Sequence, residues 1–150
     1  MSNDDIIDTL NDLIETSKDG EYGFRTSAEY LKDASTKQLF TARAEECRQA
    51  AVELQQLVVQ LGGKADDGGS ASGALHRGWV AMKGTLAGYS DKAILEETER
   101  GEDVALKSYR EALDEALPAD VRLVVERQYE GVKRNHQQVR TLRDQARALT

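Results

Sequence analysis

The chain has little of what most chemistry and most cross-linking need. It holds one cysteine, Cys47, so no disulfide can form within it, and one proline, Pro118. A lone thiol fits a reducing compartment. Aromatic residues make up only 5% and histidines number two, His76 and His136, which leaves few candidates for a catalytic centre. No apolar run approaches the roughly 20 residues that span a bilayer, so no membrane association is expected. The opening MSNDDIIDTL is acidic and lacks a signal-type apolar core. Positive charge is also scarce: 20 Lys and Arg stand against 27 Asp and Glu, a net charge of −7. Nucleic acid recognition rests on a concentrated basic surface, and none is visible. These absences predict a cytoplasmic protein that binds neither nucleic acid nor membrane.

What remains is a vocabulary of helix formers, with 31% charged residues and abundant Ala, Leu, Glu, Lys, Gln and Arg. The 150 residues are expected to form one domain. Leu10, Ile14, Ser17, Glu21, Phe24, Ala28 and Leu31 recur at steps of three and four, the signature of one helix face. The phase runs unbroken through DGEYGF at 19–24, so the spacing predicts one helix over 4–33 rather than a turn at Asp19-Gly20. Ser35 with Gln38 three residues later reads as a capping box. The second helix carries Phe40, Cys47, Ala51, Leu54, Val58 and Leu61 inward and stops at Gly62-Gly63. A third helix, capped by Ser90, shows Leu95, Glu99, Glu102, Leu106, Tyr109 and Leu113 on its packing side. Leu117-Pro118 breaks it, because a residue before proline avoids helical torsions. A fourth helix is expected over 119–148, with Val121, Val125, Gln128, Val132, Asn135, Val139, Leu142 and Ala146 inward.

Two joints are tight and one is long. The crossover of about 62–90, with a short helix ending at Gly88, is long enough to travel the length of a bundle. Two antiparallel hairpins joined by such a crossover predict an all-α, ferritin-like four-helix bundle.

Counting outward from the tight turns places ionisable residues at mid-height. Glu21 falls level with Cys47, Glu46 and Gln49, and Glu102 with Arg134, near Glu99, Asn135 and His136. Gly20, Gly23, Gly101 and Gly131 coincide with them. An interior helical glycine costs about 0.8–1 kcal/mol relative to alanine, so some benefit must offset four of them. Close helix approach or a bulge would do so. The DGEYGF stretch then reads as a helix thinned so that Glu21 faces inward.

Carboxylates and histidine on facing helices suit iron, manganese or zinc, with Glu21, Glu46, Glu102 and His136 as candidate ligands and Glu99 as a substitute for Glu102. Alternatively the layer is a hydrogen-bonded polar plug, its carboxylates satisfied by Arg43, Arg100, Arg134, Tyr109, Tyr129 or Gln128. Ligand counting favours the plug. A di-iron pattern wants Glu-x-x-His on two helices, but Lys133 stands three residues before His136, Gln49 stands where helix two would need histidine, and His76 lies in the crossover. A small pocket for an organic ligand is the third reading of the glycine layer. Cys47, on an inward face, reads as a small apolar residue rather than a nucleophile. His76-Arg77-Gly78-Trp79 reads as a clamp of the crossover on the bundle, with an anion-binding edge as its alternative.

With DGEYGF, LHRGW, ERGEDVALKSYREAL, Gln128 and His136 in view, the chain resembles a bacterial family of small ferritin-like proteins, domain of unknown function 2383, over about residues 5–148. The resemblance implies a four-helix bundle with no assigned activity and no catalytic residues to carry over. A wider similarity to ferritins and rubrerythrins would place their inward carboxylates at Glu21, Glu46 and Glu99 or Glu102, with His136 as the remaining imidazole. The sequence thus predicts a non-enzymatic, stress-associated bundle protein acting through partner binding or self-association, a homodimer being the expected assembly. A degenerate iron- or manganese-binding protein is the alternative.

Overall fold

The computed structural model describes residues 1–66 and 90–149. The first helix, α1, runs Asn3–Tyr30 without interruption through DGEYGF. Ser2 caps it in a capping box with Asp5: the Asp5 amide donates to Ser2 Oγ (3.2 Å) and the Ser2 amide to Asp5 Oδ2 (3.3 Å). The second, α2, is Ala34–Gln60. Its N-cap is Asp33 rather than the expected Ser35. The Asp33 carboxylate accepts from the Thr36 amide (2.9 Å) and from the hydroxyls of Ser35 and Thr36, bonds that hold its pKa low, that from Ser35 foremost. At the far end Gly62 adopts φ +81°. The Gly63 amide reaches Val58 O and the Gly62 amide Val59 O, each at 3.0 Å, which is a Schellman stop.

The third helix, α3, is Asp91–Leu113, capped by Ser90, whose Oγ accepts from the Ala93 amide (3.2 Å). The fourth, α4, is Ala119–Ala148 and follows Pro118. The fold is all-α, as the periodicity requires. The short crossover helix expected before Gly88 and the His76-Arg77-Gly78-Trp79 clamp lie outside the described residues. Among those described, no helix is long and apolar enough to cross a membrane.

Cross-helix bonds set the directions. The amides of Lys32 and Asp33, in the tight turn after α1, both donate to the Asp91 carboxylate at the start of α3 (2.9 Å each). At the opposite end the Thr9 hydroxyl donates to Glu115. Helices α1 and α3 are therefore antiparallel neighbours, and α2 ends at the opposite end of the bundle from where α3 begins. Helix α4 runs antiparallel to α2: Arg127 pairs with Glu53, and Asn135 Nδ2 donates to Glu46 Oε2 (3.0 Å).

The core is split by height. One apolar cluster gathers Ile6, Leu10, Leu13, Ile14, Leu54, Val58, Ala112, Val121 and Val125 near the first end. The other gathers Phe24, Ala28, Leu31, Phe40, Ala44, Ile94, Leu95 and Val139 near the second. Between them the interior is polar.

Candidate functional site

The dividing layer surrounds a cavity of about 290 Å³, whose wall takes residues from all four helices. Small residues, namely Gly20, Ala50, Gly101, Ala105 and Gly131, line it. Bulkier side chains at those heights would fill the space. Three charged side chains in its wall are deeply buried: Asp19 of α1, 5% exposed, Arg43 of α2, 9% exposed, and Glu102 of α3, 4% exposed.

Arg43 is held by three neighbours. Its Nη1 donates to Glu46 Oε2 (3.2 Å). Its guanidinium lies 5.6 Å from the centroid of the Phe24 ring, within cation–π range. Its Nη2 stands 3.9 Å from Glu102 Oε2, near enough for Coulomb attraction but too far for a hydrogen bond. Among the described residues Arg43 Nε and Glu102 Oε1 are buried with no hydrogen-bond partner. Burial raises the Glu102 pKa from 4.5 to about 7; Arg43 opposes the rise, while Asp103 and Glu46 add to it. Desolvation therefore outweighs the attraction of the nearby cation.

Several other polar groups of the wall are hydrogen-bonded. Tyr109 Oη donates to Gln128 Oε1 (2.8 Å), and Gln128 Nε2 donates to Glu53 Oε1 (2.8 Å). Burial pushes the Tyr109 phenol up to about 12 and the Cys47 thiol up to about 11. Both are neutral near pH 7, and Cys47 behaves as the packing residue its position predicted. The Thr98 hydroxyl donates to the carbonyl of Ile94 (2.8 Å).

The sequence-derived ligand set is divided by these contacts. Glu102 is in the layer, as expected. Glu46 also lines the cavity but is itself exposed, its carboxylate taken by Arg43 and Asn135. Glu21 is half-buried and paired with Arg25 on its own helix (3.2 Å). His136 Nε2 lies 2.6 Å from Asp103 Oδ1, and Glu99 pairs with Arg143. Among the described residues no three His, Cys, Asp or Glu side chains are grouped to hold a metal ion. The Arg43 guanidinium faces both Glu46 (3.2 Å) and Glu102 (3.9 Å).

The glycine at DGEYGF serves a different neighbour from the one anticipated. A methyl group on Gly20 would stand 3.0 Å from Cys47 Sγ. Gly20 lets α1 approach α2 at the buried thiol, and Glu21 pairs with Arg25 instead of entering the cavity wall. Sequence reasoning named Arg43 as one of several partners for a buried acid, but it did not single out Arg43 as buried. The available signal was its place, four residues before Cys47 and three after Phe40, on the packing face of α2.

No curated protein matches the chain. The family described as Domain of unknown function (DUF2383) matches residues 5–115, shorter than the 5–148 expected from the motifs; the match takes in α1, α2 and α3, leaves α4 beyond it, and places the chain in that family.

Proposed function

We propose that this protein is a non-enzymatic binding protein whose ligand is a small organic molecule held at mid-height in the four-helix bundle. The observation that carries the reading is the 290 Å³ cavity, which is near the size of small-molecule pockets. It is lined by glycines and alanines that cost helix stability or packing and leave room instead. An up, down, down, up helix order supports a ferritin-like scaffold for that pocket. The buried thiol and phenol, both held neutral by desolvation, support binding rather than nucleophilic catalysis.

The test is a titration of the full chain with indole, benzamide and toluene, followed by amide chemical shifts. Shifts centred on Thr16, Gly20, Ala50, Ala105 and Gly131, all on the cavity wall, are expected for at least one probe. Ala105→Phe should fill the space and remove them. Probes that produce no such shifts, or shifts that persist in Ala105→Phe, would overturn the reading.

A further inference from the structure

We propose that the cavity selects small neutral carboxamides, the ligand carbonyl accepting from the Arg43 guanidinium and the ligand N–H donating to the Glu102 carboxylate. This rests on the small-molecule reading above and names the chemical class of its ligand.

Four observations converge on it. Arg43 and Glu102 both line the cavity, and both are more than nine-tenths buried. Each keeps one polar atom without a partner among the described residues, a donor on Arg43 and an acceptor on Glu102. Buried polar groups are almost always satisfied, so a matching acceptor and donor are the missing complement. An amide presents a carbonyl and an N–H on one carbon. The pair's own separation, 3.9 Å from Nη2 to Oε2, shows that the two side chains do not already close on each other.

Charge narrows the class. Arg43 is flanked by two carboxylates, Glu46 and Glu102. A ligand carboxylate would add a third anion beside Glu102, and an ammonium would add a second cation beside Arg43. A neutral ligand leaves the local balance intact and avoids burying a further charge. Among the other wall groups, Tyr109, Gln128 and Thr98 are already bonded to one another or to backbone. The body of the ligand would lie against Phe24, Ala105 and Val132. The cavity's 290 Å³ equals the liquid volume of about ten waters, enough for a single-ring amide.

The experiment is calorimetric titration of the wild-type chain with benzamide, N,N-dimethylbenzamide, benzoate, benzylamine and toluene. Benzamide should bind at least tenfold more tightly than each of the others. The dimethyl compound keeps the carbonyl but lacks an N–H to donate to Glu102, so its loss tests that bond without altering the protein. Glu102→Met should bring benzamide and toluene within about threefold of each other. Toluene binding as tightly as benzamide would overturn the amide assignment while leaving the pocket in place. Tightest binding by benzoate or benzylamine would do the same, pointing to a charged ligand. If none of the five binds, the amide assignment falls, and the pocket reading falls with it if indole also gives no shifts at the cavity wall.

Discussion

The Arg43 guanidinium stops 3.9 Å short of the Glu102 carboxylate, inside a layer that separates two apolar clusters of the bundle. The two charges are close enough to need each other and too far apart to satisfy each other. Removing one partner should therefore cost more than removing both. Breaking a buried pair by deleting one member typically costs about 3–5 kcal/mol. For Arg43→Leu we expect a loss of about 3 kcal/mol at pH 7.5 by urea unfolding, and a clearly smaller loss at pH 5, where Glu102 can be buried as the neutral acid. Adding Glu102→Leu should restore most of the loss at pH 7.5. Equal penalties at the two pH values, with no recovery in the double variant, would show that the two residues are not coupled.

Glu102 also makes stability depend on pH by itself. Its folded pKa, about 7, lies above the ordinary 4.5, so the folded chain keeps this proton to higher pH than the unfolded chain does. The contribution is complete below about pH 4.5 and is lost as pH rises through 7, by an amount on the order of 3 kcal/mol. Burial raises the value most, Arg43 from α2 opposes the rise, and Asp103 from α3 and Glu46 from α2 add to it. Glu102→Gln does not titrate. Its stability relative to wild type should improve steadily between pH 5 and pH 8, as read from urea midpoints at each pH. Glu15, also raised to about 7 by burial and its bond to Asp66, titrates in both proteins and cancels in the difference. A difference that stays flat across that range would rule out a raised Glu102.

Local chemistry made much of this legible in the sequence. The unbroken phase of α1 through DGEYGF, the Gly62 stop, the Ser90 cap and the break at Pro118 are each decided by a few adjacent residues, and each is found. So is the polar middle, because residues at equal distance from a tight turn sit at equal height. Which acid turns inward is another matter. Glu21, Glu46 and Glu102 all lie at that height, yet only Glu102 is buried. A helical period fixes the centre of a face well and its edges poorly, and Glu21 and Glu46 sit at the edges. His136 likewise turns toward Asp103, a residue that periodicity places on the solvent side. The N-cap of α2 is Asp33, two residues before the expected Ser35, which lies in the first turn; the Asp33 carboxylate takes the Thr36 amide as well as both hydroxyls. The cavity depends on small residues from four helices meeting at one level, and no single helix announces that.

Cys47 should be nearly inert in the folded protein. Its thiol is buried, and burial lifts its pKa to about 11, while the reactive species is the thiolate. Iodoacetamide labelling at pH 8 should be at least about a hundredfold slower in buffer than in denaturing urea, since both thiolate fraction and access fall. Labelling at comparable rates in both conditions would mean that the α1–α2 seam opens readily.

The Asp91 carboxylate ties the turn between α1 and α2 to the start of α3 by accepting the amides of Lys32 and Asp33. These bonds are exposed, so their combined worth is modest. Asp91→Ala should lose about 1–2 kcal/mol. Its sharper readout is hydrogen exchange, in which the amides of residues 32 and 33 should lose protection while those of the α2 interior keep theirs. Unchanged protection at 32 and 33 would show that the turn is held by its own backbone.

Gly20 and Cys47 give the most direct check on why DGEYGF contains glycine inside a helix. In an unconstrained helix Gly→Ala gains about 0.8–1 kcal/mol. Here the added methyl would meet Cys47 Sγ at 3.0 Å, tighter than packed atoms accept without movement. Gly20→Ala alone should therefore gain nothing or destabilise. In a Cys47→Ala background, where the sulfur is gone, the same change should recover its gain of about 1 kcal/mol. The coupling between the two sites, read from a four-protein cycle of urea unfolding, should reach about 1 kcal/mol or more. If Gly20→Ala stabilises equally in both backgrounds, the close approach of α1 to α2 is not what the glycine provides, and a gain realised only without the sulfur would assign it to that contact.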